Sequence, residues 1–431
     1  MKPYVLTGRY GSRSWLHEHY SEMRYYKEEK AGLDARLMLG SEFIIDATLN
    51  TDFVQVEDDL EQIQIDRFPL FFPEKREYFS KNHDLFTFGL GENNAPPPFQ
   101  LFYSRRIGLA TSTDGGFFEV PISGSLRMTG KDGPWSIGAL TVRTERVNHR
   151  LNPAFFDPLP PECDGCYHRL PTCTYGVIRI SRDIPKGSRI GAMLLGTNPG
   201  SGGVPGYPGN VLPERYRAGG VDASISLFRN TQLSGFLAGS RRSDGKTVPA
   251  ASLNYLWNSD RWEINLINLY VDEDWVDDMG FVLRTGTLRN TVELSWSPHL
   301  NIPGLGQMVF FADTDYFTRP SGRLESRSLS PGVKLLLKNG GQVVLGGDAR
   351  YEYIDNKFWL GENSDVGVSP DVYRWIDGFL SVSTSAAAPV GANATLAGGP
   401  YYDADRCTLF GTLWCQPVPS LRFEGRFFLN S

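Results

Sequence analysis

Apolar side chains recur at every second residue along most of this chain. Between Phe43 and Asn50, one face carries Phe43, Ile45, Ala47 and Leu49, and the other carries Ile44, Asp46, Thr48 and Asn50. Between Thr291 and Ser297, Val292, Leu294 and Trp296 alternate with Thr291, Glu293, Ser295 and Ser297. Val333, Leu335 and Leu337 alternate with Lys334, Leu336 and Lys338. Near the end, Leu421, Phe423, Gly425, Phe427 and Leu429 alternate with Arg422, Glu424, Arg426, Phe428 and Asn430. A period of two is that of a strand, and repetition of such segments between turn residues specifies an antiparallel all-β chain. No apolar run reaches the roughly 18 residues of a transmembrane helix. A membrane-spanning strand needs none, because only its alternate side chains meet lipid.

The connections narrow the choice. Short turns near Gly40-Ser41, Gly130 to Pro134, Asp183 to Ser188, Arg229 to Gln232 and Asn258 to Arg261 alternate with longer polar segments. The latter are Gly11 to Glu28, Thr51 to Gly116, Asn148 to Thr172, Asn198 to Gly219 and Arg241 to Thr247. Sandwiches and propellers also alternate in hydrophobicity, but neither predicts unequal ends. An outer-membrane barrel does. The expected fold is therefore all-β, a transmembrane antiparallel β-barrel of roughly 18–22 strands with an internal plug-like insertion. Residues 1–50 would supply the first strands, 51–116 the insertion and 117–431 the remaining strands with long outer loops. The long–short alternation loses parity between Leu288 and Gly306. In a barrel, Asp46, Thr48, Asn50, Glu293, Glu424 and Arg426 face the lumen, and Phe43, Trp296 and Phe427 face lipid. Trp15, Tyr25, Tyr26, Trp135, Trp257, Trp262, Trp275, Trp375, Tyr401 and Tyr402 lie near strand ends, where girdle aromatics belong.

Charge excludes other classes. Lys and Arg number 43 against 49 Asp and Glu, so a mainly electrostatic nucleic-acid binder is not expected. An aromatic content of 13% with a net charge of −6 excludes a disordered chain. The start, Met1-Lys2-Pro3-Tyr4-Val5-Leu6, has no apolar signal core, so the chain is either cytosolic or begins downstream of its export signal. Cys163, Cys166, His168 and Cys173 have ligand types suited to a metal, or else the cysteines are loop disulfides or free thiols. Cys407 and Cys415 form a second pair in sequence. No cofactor is expected.

The insertion opens with Asp52, Glu57, Asp58, Asp59 and Glu61, and continues Arg67-Phe68-Pro69-Leu70-Phe71-Phe72-Pro73-Glu74-Lys75-Arg76. Its aromatic content argues against a disordered loop of that length. Together with Asp46-Ala47-Thr48-Leu49-Asn50-Thr51-Asp52-Phe53, the Phe-Phe-Pro-Glu-Lys-Arg block resembles an uncharacterised bacterial family. In that family a carbohydrate-binding family 9-like domain precedes a C-terminal domain of unknown function resembling an outer-membrane barrel. Tyr103-Ser104-Arg105-Arg106-Ile107-Gly108, Trp135-Ser136-Ile137-Gly138-Ala139-Leu140, Met279-Gly280-Phe281-Val282 and Gly322-Arg323-Leu324-Glu325-Ser326-Arg327 follow in the family's order. The signal peptide and the carbohydrate-binding-like domain are not present, the end lacks a terminal aromatic, and the Cys163–Cys173 loop is outside the pattern. The chain therefore reads as a fragment.

The resemblance implies a bacterial outer-membrane location, with outer-membrane lipid and the barrel-assembly machinery as partners. It also implies a channel, transporter or membrane anchor linked to carbohydrate. The insertion's charges, Glu57, Asp58, Asp59 and Glu74 against Arg67, Lys75, Arg76, Arg105 and Arg106, suit a plug pinned by Arg–carboxylate pairs, with Phe71 and Phe72 in its small core. Trp15, Tyr20, Tyr25 and Tyr26 are candidates for an oligosaccharide-binding loop. The alternative is a soluble all-β carbohydrate-active enzyme or lectin-like module, with Glu57 and Asp59 or Glu74 and Glu77 as a carboxylate pair. His17 and His19, or the Asp272–Asp278 acidic turn, have metal-ligand character, but a solvated loop explains each more simply.

Overall fold

Among the described residues, alternating apolar residues build nineteen long strands that pair in chain order. In a computed structural model the described residues are 1–12, 15–16, 19–20, 24–51, 67–89, 97–111, 117–150, 167–201, 214–242, 245–359 and 367–431. The sheet strands are β1 (Lys2–Ser12), β2 (Arg24–Leu39), β3 (Phe43–Thr51), β4 (Ile122–Asp132), β5 (Trp135–Thr144), β6 (Cys173–Ile184), β7 (Ser188–Pro199), β8 (Arg217–Phe228), β9 (Thr231–Arg241) and β10 (Thr247–Asn258). They continue as β11 (Trp262–Val271), β12 (Thr287–Trp296), β13 (Leu305–Thr318), β14 (Leu324–Leu337), β15 (Gln342–Tyr353), β16 (Val372–Ser383), β17 (Val390–Tyr401), β18 (Ala404–Val418) and β19 (Leu421–Asn430). Each is antiparallel to the next. Among the described residues no ladder joins β1 to β19.

Tight turns set the register at one end. Gly133 takes φ +53°, the left-handed conformation that a two-residue hairpin loop requires between Asp132 and Trp135. The loss of parity expected between Leu288 and Gly306 does not occur. The chain keeps alternating ends, but residues 297–304 lengthen one connection on the short side. On the long side, 319–323 and 402–403 are brief. Sidedness is preserved while loop length stops reporting it.

Direct cross-strand neighbours share a face, so register separates the faces. Leu37 lies opposite Ile45, which lies opposite Met128; Ala139, Ile178 and Leu194 continue the row. Leu37, Ile178 and Leu194 are 57%, 52% and 67% exposed. The adjacent row has the other phase: Asp46, Arg127, Leu140, Val177 and Leu195. All five are buried, because the insertion covers them. Thr48 and Glu293 take the same face as Asp46, while Trp296 is exposed on the opposite one.

The core sits between sheet and insertion. Phe79, Phe86, Phe88, Phe99, Leu101 and Ile107 pack against Val142, Val177, Met193, Phe236 and Leu269 of the strands. Gly138 permits this approach, since a Cβ there would stand 3.1 Å from the Phe86 ring. A strongly twisted sheet rarely exceeds about ten strands without curling, splitting or flattening. Here it curls round the insertion, which reaches β4 through Arg127 and β14 and β15 through Arg67.

Candidate functional site at the insertion

The insertion folds locally first. Phe-Phe-Pro-Glu-Lys-Arg ends in one helical turn, α1 (Glu77–Ser80), followed by a 3-10 turn at His83–Phe86. Pro73 and Pro69 keep the preceding segment extended. Glu74 and Arg76 then join the two halves of the insertion. The Arg76 Nε and Nη2 donate to Glu74 Oε1 and Oε2 at 2.9 and 2.7 Å. The Arg76 backbone N–H adds a bond of 2.9 Å and the Ser104 hydroxyl one of 2.5 Å. Arg76 also donates to the carbonyls of Ile107 and Ser104 at 2.8 and 2.7 Å. Burial by itself would push the Glu74 carboxyl up. The hydrogen bonds and charge of Arg76, with Ser104, outweigh that and hold it below the usual glutamate range.

Further arginines fasten the insertion to its surroundings. Arg127, 2% exposed, donates to Asp46 Oδ2 at 2.8 Å, to the Lys81 carbonyl at 2.8 Å and to the Tyr78 carbonyl. Arg36 holds the other Asp46 oxygen at 2.6 Å. Arg106 reaches Asp277 at 2.5 Å and the Gly280 carbonyl at 3.0 Å, and Phe99–Gln100 pairs with Phe281–Val282 beside it. Arg67 contacts Glu325 and Glu352, both at 3.3 Å. Arg179 pairs with Asp222, whose second oxygen accepts from it at 2.8 Å and also faces the Gly89 N–H. Burial pushes the Tyr78 hydroxyl up to about 12 and raises the Asp278 carboxyl despite Arg242 at 3.0 Å.

The expected insertion residues therefore resolve into separate roles. Glu74, Arg76, Arg67 and Arg106 form the ion pairs, and Phe71 stacks edge-on to Phe281 and close to Tyr103. Arg105 donates to the Pro73 carbonyl at 3.1 Å and covers the Phe72 ring, and Lys75 is half-buried. Glu57, Asp58 and Asp59 lie outside the described residues, as do Cys163 and Cys166. Trp15 and Tyr20 sit opposite each other in a short hairpin, and Tyr25 and Tyr26 lie on β2. His168 lies on the strand Tyr167–Leu170. Asp46, Arg127, Asp222, Asp277, Glu325 and Glu352 were not among the sequence candidates for docking. Only the inward phase of Asp46 signalled a role.

Two readings left open by the sequence are narrowed. Cys407 and Cys415 are free thiols on one strand, eight positions and about 26 Å apart at 3.3 Å per residue, far beyond disulfide reach. Cys173 is a buried free thiol. The acidic turn Asp272–Asp278 is a set of partners for cations: Asp277 for Arg106, Asp278 for Arg242 and Asp274 for Lys246. Among the described residues no group of three or more His, Cys, Asp or Glu is placed to hold a metal.

Beyond the insertion, the inward face stays charged. Arg289 grips Asp315 at 2.7 and 2.8 Å, Arg350 meets Asp348 at 3.3 Å, and Arg406 meets Asp377 at 3.1 Å.

Fold and site together define an all-β protein: a nineteen-stranded antiparallel sheet with a long insertion fixed to its inner face. A DUF5916 domain, a domain of unknown function, is found at residues 10–118, covering the end of β1, all of β2 and β3 and nearly all the insertion. Comparison with curated proteins and with solved structures gave no significant match.

Proposed function

We propose that this chain is an outer-membrane β-barrel whose insertion is a plug, serving as a porin- or transporter-like channel or as a membrane anchor linked to carbohydrate binding or uptake. The observation that carries it is the exposed face of the sheet. Leu194, Leu237, Leu253, Leu345, Ile376 and Leu413 stand exposed on strand after strand, with charges gathered on the opposite face. Soluble monomers rarely expose apolar patches beyond a few hundred Å². Lipid, unlike water, matches such a face. Trp262, Trp296 and Phe310 stack at 5.8 and 5.4 Å on the exposed face at the short-connection end, where a girdle belongs. The short connections then face the periplasm and the long ones the exterior. Membrane lipid and the barrel-assembly machinery are the expected partners. The carbohydrate link rests on the sequence resemblance.

The enzyme alternative loses one of its candidates, because both Glu74 oxygens are occupied by Arg76 and Ser104. The test is membrane fractionation with gels of heated and unheated protein. Release by carbonate washing without a heat-modifiable band refutes the barrel. Planar-bilayer recording separates channel from anchor: a variant with residues 52–121 replaced by a short Gly-Ser turn conducts if the insertion gates a pore, and its silence, with the heat-modifiable band retained, refutes gating.

A further inference from the structure

The exposed face changes character near the long connections of β14 to β16. Arg327, Tyr351 and Arg374 lie directly opposite one another on these three strands. The Arg327 and Arg374 guanidinium groups flank the Tyr351 ring at 5.8 and 5.4 Å. One step further out, Arg323 covers the Tyr353 ring at 3.6 Å. All three arginines are exposed. Among the described residues none of the three pairs with a carboxylate. Two carboxylates of the connection above are otherwise engaged: Asp355 by Arg319 at 2.6 Å and Asp371 by the Val372 N–H at 2.6 Å.

One residue pair inward along the strands, the same face is apolar. Leu329 and Ile376 flank Ala349 and are 49% and 72% exposed. Two residues of strand cover about 6.6 Å, so the cations stand at the edge of the apolar band. An arginine cluster matches phosphate by charge and by its forked donor geometry. A phosphate anchored at that edge would lay its acyl chains along Leu329 and Ile376.

We propose that Arg323, Arg327 and Arg374 form a binding site for the multiply phosphorylated head group of a membrane glycolipid in the outer leaflet. This rests on the outer-membrane reading above. Arg327 and Arg374 hold phosphate, Tyr351 orients both guanidinium groups, and Leu329, Ala349 and Ile376 receive an acyl chain.

The experiment uses the full chain, delipidated in detergent after its heat-modifiable band has been recorded. It is offered diphosphoryl lipid A, the same glycolipid after enzymatic dephosphorylation, or phosphatidylcholine, and retained lipid is counted by native mass spectrometry. The wild-type protein retains the diphosphoryl form on the order of tenfold better than the dephosphorylated form, as charge-assisted hydrogen bonds require. Arg327→Ala with Arg374→Ala abolishes that preference while the heat-modifiable band and phosphatidylcholine retention persist. Equal retention of both glycolipids by the wild-type protein overturns the site, even if the double variant fails to fold. So does a preference that survives in a folded double variant, or displacement of the lipid by millimolar inorganic phosphate. A missing heat-modifiable band overturns the membrane reading and this site together. A present band with no phosphate preference overturns the site alone.

Discussion

Replacing Arg127 by methionine should undock the insertion without dissolving the sheet. The guanidinium is buried and serves three acceptors: Asp46 at 2.8 Å and the carbonyls of Lys81, also at 2.8 Å, and Tyr78. Breaking a buried ion pair by removing one partner costs about 3–5 kcal/mol. Asp46 keeps its 2.6 Å bond to Arg36, which is half-exposed, so its charge is not abandoned. That places the cost at the low end, about 3 kcal/mol, or about 100-fold in the docking equilibrium at 1.4 kcal/mol per factor of ten. Hydrogen exchange reads it directly. The N–H groups of Phe79, Ser80 and Lys81, bonded to Arg76 and Glu77 carbonyls at 2.9, 3.0 and 3.2 Å, should exchange about 100-fold faster. Ladder amides of β5 should keep their rates. Asp46→Asn should cost less, because Arg127 retains both carbonyls, and the double variant should be non-additive by at least about 0.5 kcal/mol. Unchanged exchange at Phe79 to Lys81 in the methionine variant would refute the pinning role.

Other outcomes follow from the same contacts. Glu74 has its carboxyl lowered by Arg76, so it stabilises the insertion above the ordinary glutamate range, and that contribution disappears as pH falls through the lowered value. Asp278 has the opposite sign: burial raises its carboxyl, so its contact is penalised at neutral pH and relieved on acidification. Limited proteolysis of the insertion across an acid titration should show the Glu74 loss, and Glu74→Gln should remove it while costing about 3 kcal/mol at neutral pH. Gly138→Ala should lower the melting temperature through about 1–3 kcal/mol of overpacking against Phe86, and Phe86→Leu should restore part of it. Leu194→Arg should cost about 2–4 kcal/mol of refolding stability in vesicles if its exposed face meets lipid, and a cost near zero would argue for water there.

Strands were legible because a period of two is a local property: Phe43 to Asn50 and Leu421 to Asn430 fold where their alternation places them. Docking was not, because its partners are remote. Arg67 meets Glu325 across 258 positions and Arg106 meets Asp277 across 171. The sequence shows that arginines and carboxylates must pair, but not which ones. Arg76 found its partner two residues away in Glu74, and Asp46 was visible as an inward charge without its Arg127. Loop length misled near Leu288 because it only correlates with sidedness. The two-residue connection 402–403 lies at the same end as the insertion. Cys407 and Cys415 look like a pair until one extended strand separates them.

Among the described residues the sheet has an odd number of strands, which places its first and last strand ends at opposite rims. In a meander each strand reverses direction, so β1 and β19 run the same way, from the short-connection end toward the long one. Lys2 therefore enters at one rim and Asn430 leaves at the other. An even count would have returned both to the same rim. In the membrane orientation proposed above, Lys2 stands at the periplasmic rim and Asn430 at the outer one. A tag at each end, probed on intact and permeabilised cells, would report opposite accessibility.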